Sequence, residues 1–266
     1  MTLSLQPSLD LGAPLGLRGQ RVLITGGSRG IGAATARLLA SLGARVAFTF
    51  VQDAGAAERL AAELRDGGAE VLALRADQRS REDARTTVAA VEEAWGGLDA
   101  FVGNAGIWLP TPSELDGEAE LQAVIETNLT GLFRWHAEVV PALRRAGGGR
   151  LVLLSSTAGQ RGEAGYGAYA ATKGAVISLV KSLAPELGPS GIRVNAVAPG
   201  WVDTDLSASA LRGDAAERRR IEGIFPLGRI PDAEDLAGPI AFLLSDWARA
   251  VTGEVLNVNG GTVLCG

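Results

Sequence analysis

Tyr169 and Lys173 are the pair in this sequence whose types and spacing carry chemistry. They close the stretch Gly165-Tyr166-Gly167-Ala168-Tyr169-Ala170-Ala171-Thr172-Lys173. The 266-residue chain has two tyrosines, Tyr166 and Tyr169, and both lie here. It has two lysines, Lys173 and Lys181, among 25 basic residues. A chain that otherwise uses arginine has kept at 173 a compact ammonium on a flexible stem. On a helix, a four-residue spacing brings two Cβ atoms to roughly 5–6 Å on one face. A cation beside a phenol favours the phenolate and lowers a pKa of about 10. The pair can then work as an acid or a base near neutral pH. Tyr166, seven residues from Lys173, is too far along the helix to act as directly. The same pattern also describes an amphipathic tyrosine beside a solvated lysine, so the rest of the chain decides.

Short, continuously apolar runs read as strands at residues 21–25, 45–50, 70–75, 98–102, 150–154, 193–198 and 254–258. Helical patterns lie between them, at 31–42, 54–65, 81–95, 118–145, 166–187 and 232–244. The 118–145 helix is entered through a capping-type acidic turn. Pro185 lies inside the 166–187 pattern and predicts a kink or an early end there. Residues 206–225 read as polar and irregular. Alternation of this kind predicts an α/β fold in one domain, residues 19–266. Its parallel sheet is doubly wound and carries helices on both faces, the dinucleotide-binding, Rossmann-type layout. Residues 1–18 read as a flexible surface tail.

Composition narrows the function classes. Hydrophobic residues make up 47% and charged residues 21%, which suits a sizeable core. The net charge is −5 and the basic residues cluster only at Arg218–Arg220, which argues against nucleic acid as a partner. One cysteine, Cys265, excludes an intrachain disulfide and a cysteine metal site. One histidine, His136, excludes a His-rich metal site. No apolar run reaches the ~20 residues that span a bilayer, and the first eighteen residues lack a signal-peptide pattern. The expectation is a cytoplasmic protein with no membrane association and no metal.

A second motif, Thr25-Gly26-Gly27-Ser28-Arg29-Gly30-Ile31-Gly32, joins the first strand to the first helix. Glycines let the backbone turn tightly and approach a ligand, and the helix N-terminus offers free N–H groups to a diphosphate. An NAD site usually carries an acid at the end of the second strand. Here that position is Phe50, and the next acid is Asp53. Arg29, inside the turn, can meet a 2′-phosphate. The expected cofactor is NADP(H) in preference to NAD(H).

With these come Asp77, Asn104-Ala105-Gly106, Asn128, Ser156, Pro199-Gly200 and Val258-Asn259-Gly260-Gly261, in that order. On this set the chain resembles the short-chain dehydrogenase/reductases, in the branch of the 3-oxoacyl-acyl carrier protein reductases. The likeness covers all but the N-terminal tail. It implies that Gly26, Ser28, Arg29, Gly30 and Ile31 hold the diphosphate side of the cofactor. It implies that Asp77 and the backbone of Gln78 meet the adenine, and that Asn104, Ala105 and Gly106 lie under the adenosine ribose. Gly103 stands where the family often has another Asn. Pro199, Gly200, Val202 and Thr204 are implied to hold the nicotinamide carboxamide. Lys173 is implied to hold the nicotinamide ribose as well as to tune Tyr169. Ser156 is implied to polarise the substrate carbonyl, with Ser155 facing the other way. Asn128 has two readings, a holder of a water linking Lys173 to solvent or a core amide satisfying backbone groups. The implied assembly is a homotetramer joined through the long helices and the last strand.

The expected activity is NADPH-dependent reduction of a ketone to a secondary alcohol. The partner is a small carbonyl or alcohol substrate, with a carrier-bound 3-oxoacyl thioester among the candidates. A sugar or secondary-alcohol dehydrogenase is the alternative within the family, and a non-catalytic dinucleotide sensor the alternative outside it. Trp108 reads either as a border of the substrate mouth or as a packing residue. His136 reads as surface or interface. Arg212, Arg218, Arg219 and Arg220, in the stretch where the family covers its substrate, can meet an acidic substrate or carrier, or form a solvated face.

Overall fold

The computed structural model describes residues 15–114 and 118–265. Seven strands form one wholly parallel sheet in the order β3-β2-β1-β4-β5-β6-β7. They are β1 (Arg21–Ile24), β2 (Arg45–Phe50), β3 (Val71–Arg75), β4 (Ala100–Gly103), β5 (Gly149–Leu154), β6 (Ile192–Pro199) and β7 (Val255–Val258). The strands are apolar throughout because both faces are covered. Val22 and Ile24 point to one layer, built with helices α1 (Gly30–Ser41), α2 (Ala54–Asp66) and, late in the chain, α10 (Ala233–Leu244). Leu23 and Phe101 point to the other, built with α3 (Arg81–Trp95), α5 (Gly131–Arg145) and α7 (Gly167–Leu187).

The helix boundaries follow capping chemistry. Asp53 accepts the Ala56 N–H at 2.7 Å to start α2, and Ser80 accepts the Asp83 N–H at 3.0 Å to start α3. Gly96, at φ 76°, ends α3 in the left-handed conformation that glycine adopts freely. Asp232 and Asp235 form a reciprocal capping box at α10.

The predicted 118–145 helix is one continuous rod with an interruption. It comprises α4 (Glu118–Ile125), a π-helical turn Glu126–Thr130, and α5. Part of the acidic turn expected before it falls on residues 115–117, outside the described residues. Three further readings need revision. Helix α7 runs two residues past Pro185, then passes into a 3₁₀ turn, so no early stop occurs. Residues 206–225 contain two helices, α8 (Ala208–Gly213) and α9 (Ala215–Glu222), joined through Asp214. Their i,i+3 and i,i+4 ion pairs, Glu217–Arg220 and Arg218–Glu222, stabilise a helix with little apolar periodicity. Of the predicted tail, residues 15–18 are described and lie on the domain. Leu17 is buried in the α1-side layer, and the Asp246 N–H donates to the Leu15 carbonyl at 3.3 Å.

The chain builds outward from β1 to β3, then returns to lay β4 beside β1. At that switch point the loops leaving β1 and β4 diverge, which opens a crevice at the carboxyl ends of the strands.

Candidate active site

The turn leaving β1 is compressed to the backbone. Gly26 and Gly30 have φ of 63° and 53°. A Cβ on Gly27 would lie 2.5 Å from Phe48 Cβ, and one on Gly32 would lie 2.4 Å from the Gly26 carbonyl oxygen. No side chain caps α1: the Arg29 side chain at its N-cap makes no capping hydrogen bond. Arg29 also makes no ion pair among the described residues. A tight cradle, an uncapped helix start and an unpaired guanidinium fit a dinucleotide diphosphate.

Asn104 fixes that cradle to β4. Its Nδ2 donates to the carbonyls of Thr25 and Gly26, both at 2.9 Å. Thr25 returns the link, its Oγ1 accepting from the N–H groups of Asn104 and Ala105 at 3.2 and 3.1 Å. The threonine's role depends on β4 lying beside β1, and nothing in the local sequence signals it. Gly103 leaves no space for a side chain: a Cβ there would meet Leu153 and Leu132 at 2.9 and 3.0 Å.

At the end of β2, Phe50 packs against the α1-side core and carries no carboxylate, and Asp53 turns Oδ1 to cap α2. Asp77 is held by Arg79, whose Nη2 donates to it at 2.7 Å, and this contact keeps its carboxyl below the usual range. Gln78 is buried beneath the start of α5, its backbone carbonyl against Gly131. The loop after β6 arches back over the cradle. Thr204 stands 3.5 Å from where a Cβ on Gly30 would sit, and Val202 is buried in the core. Gly200 lies against Asn259 and Thr262, so the Val258–Gly261 turn supports the Pro199-Gly200 corner from behind.

Ser156, Tyr169 and Lys173 meet at the mouth of this crevice. Ser156 follows β5 and starts α6 (Thr157–Arg161), its Oγ accepting the Ala158 N–H at 3.1 Å. Its hydroxyl faces Tyr169 closely enough to favour the phenolate. Ser155 faces the other way, donating to the Lys173 carbonyl at 2.9 Å. Lys173 Nζ lies 5.7 Å from the Tyr169 ring centroid and donates to the Leu154 carbonyl at 2.7 Å. Asn128 sits in the π turn. Its Oδ1 accepts the Ile107 N–H at 2.8 Å, and its Nδ2 donates to the Ile107 carbonyl at 2.9 Å and to Thr172 Oγ1 at 3.4 Å. The backbone-satisfying reading is the one this geometry supports. The extra residue of the π turn is the local device that places an asparagine in the heart of a helix pair.

The electrostatics differ from the sequence expectation. Burial pushes the Tyr169 phenol up to about 12; the Ser156 hydroxyl opposes this and the Glu163 charge adds to it. Burial pushes Lys173 down to about 8. The ammonium does not make the phenol more acidic, because desolvation outweighs a cation turned toward the Leu154 carbonyl. A protonated phenol at neutral pH is a proton donor.

Other readings are also settled by position. His136 is buried rather than on the surface, between Phe101 and Phe133, and burial alone pushes it down to about 4. Arg212 and Arg218 both pair with Asp203, at 3.1 and 3.0 Å, and Arg220 pairs with Glu217. That is the solvated-face reading for three of the four arginines. Among the described residues no helix is long and apolar enough to cross a membrane, and no cluster suits a metal ion.

The sequence model of a family described as Enoyl-(Acyl carrier protein) reductase matches residues 26–263. The chain is 38% identical over 247 residues to the 3-oxoacyl-[acyl-carrier-protein] reductase FabG of Vibrio cholerae serotype O1, covering 93% of this chain and 98% of that one. In structure it is similar to a short chain dehydrogenase of Burkholderia cenocepacia J2315 solved in complex with NADP, at a TM-score of 0.86 and 35% identity, covering 92% of this chain and 98% of that chain. It is equally similar to a putative NAD(P) dependent gluconate 5-dehydrogenase of Beutenbergia cavernae, at a TM-score of 0.87 and 35% identity, covering 94% and 98%. The chain belongs to the short-chain dehydrogenase/reductase family of oxidoreductases.

Proposed function

We propose that this enzyme reduces a ketone to a secondary alcohol with NADPH, using Tyr169 as the proton donor. The observation that carries the reading is Lys173 Nζ 5.7 Å from the Tyr169 ring centroid, with Ser156 beside it, at the rim of an uncapped, glycine-lined cradle. NADPH, when bound, supplies the hydride. The turn of Gly26, Ser28, Gly30 and Ile31 holds its diphosphate, and Arg29 its 2′-phosphate. Phe50, where an NAD site usually has an acid at the end of the second strand, supports NADPH over NADH. Asp77, Gln78 and the Asn104–Gly106 stretch flank the adenosine, and the Pro199–Thr204 loop flanks the nicotinamide.

As negative charge develops on the substrate oxygen, the hydroxyls of Ser156 and Tyr169 donate hydrogen bonds to it. Tyr169 then releases its proton to that oxygen. A phenol held at about 12 is fully protonated at the start of this step. Lys173 supplies the positive charge on the face where the tyrosinate forms. Names of relatives point to 3-oxoacyl thioesters as one substrate class, and the gluconate dehydrogenase likeness supports a second, polyol reading. A homotetramer joined along α5 and α7 and through β7 belongs to the same proposal; Phe133 offers it an apolar ring that is 52% exposed.

The test is Tyr169→Phe. Turnover of NADPH with a ketone panel should fall at least ~10³-fold while NADPH affinity stays within about threefold. Wild-type turnover in the variant would remove Tyr169 as the donor.

A further inference from the structure

Three aromatic rings from three different loops converge at the mouth of the site. Trp108 follows β4, Tyr166 precedes α7, and Trp201 follows β6. Trp108 and Tyr166 stack with centroids 4.2 Å apart and planes 8° apart. Trp201 meets Trp108 edge-on at 5.5 Å and 86°. All three are only partly buried. The wall is fixed at each end. Thr111 binds the Tyr166 loop through its N–H to the Gly165 carbonyl at 2.7 Å and its Oγ1 from the Ala168 N–H at 2.9 Å. Trp201 packs on the cluster of Leu211, Ile221, Phe225 and Ile230 that joins α8 and α9.

The wall stands next to the reacting groups. Tyr166 is one helical turn before Tyr169, and Trp108 is two residues beyond Gly106, where a Cβ would lie 3.6 Å from Lys173 Nζ. Glu163 lies in the loop that carries Tyr166, its carbonyl accepting the Tyr166 N–H at 3.1 Å. Burial pushes its carboxyl up, and its charge is felt by both Tyr166 and Tyr169. The arginines expected to draw in an acidic substrate are largely taken: Arg212 and Arg218 by Asp203, Arg220 by Glu217.

We propose that Trp108, Tyr166 and Trp201 form the substrate-recognition wall, and that it selects a ketone on a flat, apolar body without negative charge, cyclic or aryl, over a flexible acidic thioester. The inference rests on the proposed reaction and narrows its substrate. Rigid rings give a planar substrate a large contact at little entropic cost, whereas a flexible acyl chain must give up rotamers to lie on the same surface. Glu163 penalises an anion at the wall, which is discrimination by repulsion.

The experiment measures NADPH oxidation by the full-length enzyme with β-tetralone, a tetralone carrying a ring carboxylate, butanone and acetoacetyl-coenzyme A. The wild type should show kcat/KM at least ~10-fold higher for β-tetralone than for acetoacetyl-coenzyme A. Trp108→Ala should lower the β-tetralone to butanone ratio ~10-fold, from loss of one aromatic contact. Trp108→Leu, which keeps apolar bulk in case the alanine variant does not fold, should lower it ~3-fold or more. Glu163→Gln should raise the ratio of carboxylated to plain tetralone ~5-fold or more. A wild-type preference for acetoacetyl-coenzyme A, or equal losses on β-tetralone and butanone, would overturn the wall's role and leave the ketone-reductase reading standing. No turnover of any ketone would overturn both.

Discussion

Replacing Gly32 with alanine tests whether the cradle is as tightly closed as its contacts indicate. The added Cβ would lie 2.4 Å from the Gly26 carbonyl oxygen, 2.7 Å from Asn104 Nδ2 and 2.9 Å from Gly27 Cα. Ordinary contact begins at 3.4 Å, so the backbone of the turn must withdraw by about 1 Å. None of these atoms is the free end of a flexible chain. The carbonyl and the amide are bonded to each other at 2.9 Å, and moving either strains that bond. Overpacking costs about 1–3 kcal/mol, and weakening the hydrogen bond adds about 1 kcal/mol. Alanine recovers about 1 kcal/mol through helix propensity, since Gly32 lies in the first turn of α1. The net loss is about 1–3 kcal/mol, or roughly 3–10 °C in melting temperature for a chain of this size. Thermal unfolding with and without NADPH reads this directly, and NADPH affinity should fall at least ~10-fold because the displaced turn faces the diphosphate. Gly213→Ala is the control: it is the last residue of α8, no proline follows it, and a Cβ there meets nothing within 4 Å. That variant should be neutral or gain up to about 1 kcal/mol. If Gly32→Ala melts within a degree of the parent and binds NADPH as tightly, the cradle is looser than described and the steric argument fails.

Arg29→Ala should weaken NADPH by ~10-fold or more while changing NADH little; equal losses, measured by fluorescence titration, would remove the 2′-phosphate role. In the oxidative direction the base is the phenolate, so with Tyr169 held at about 12 the rate should climb nearly tenfold per pH unit from 7 to 10. The reductive rate should show no such rise, and a plateau of the oxidative rate near pH 7 would contradict the raised phenol. His136 has its folded pKa depressed to about 4 from an unfolded value of about 6.5, so the unfolded chain binds the extra proton between these values. Its neutral burial therefore favours folding fully above about 6.5, and up to about 3 kcal/mol is lost as pH falls toward 4. His136→Leu should flatten that part of the stability curve in denaturant titrations; an unchanged slope would place the acid sensitivity elsewhere.

The strands and the Tyr169–Lys173 pair were legible in the sequence because each depends on local spacing. A strand buried on both faces is apolar at every position, and a four-residue offset fixes one helix face whatever surrounds it. What failed to show depends on distant partners. Residues 206–225 look irregular in hydropathy because α8 and α9 are held by ion pairs such as Asp203–Arg218, whose members lie fifteen positions apart. Thr25 gains its role only when β4 lies beside β1. The phenol's direction of shift follows from how much water the folded site excludes and from Lys173 turning to Leu154, neither of which spacing encodes. His136 reads as surface or interface from its helix alone, yet it packs against Phe101, which comes from β4.

Where the enzyme begins is decided by one leucine. Leu17 sits in the same packed layer as Val22 and Leu39, with 1% of its surface exposed, although three residues separate it from the first strand. Trypsin cutting after Arg18 would carry that side chain away and leave a leucine-shaped void under α1, forfeiting about 2–5 kcal/mol. A shortened chain starting at Gly19 would keep every strand and every reacting group, yet it would unfold earlier than the parent.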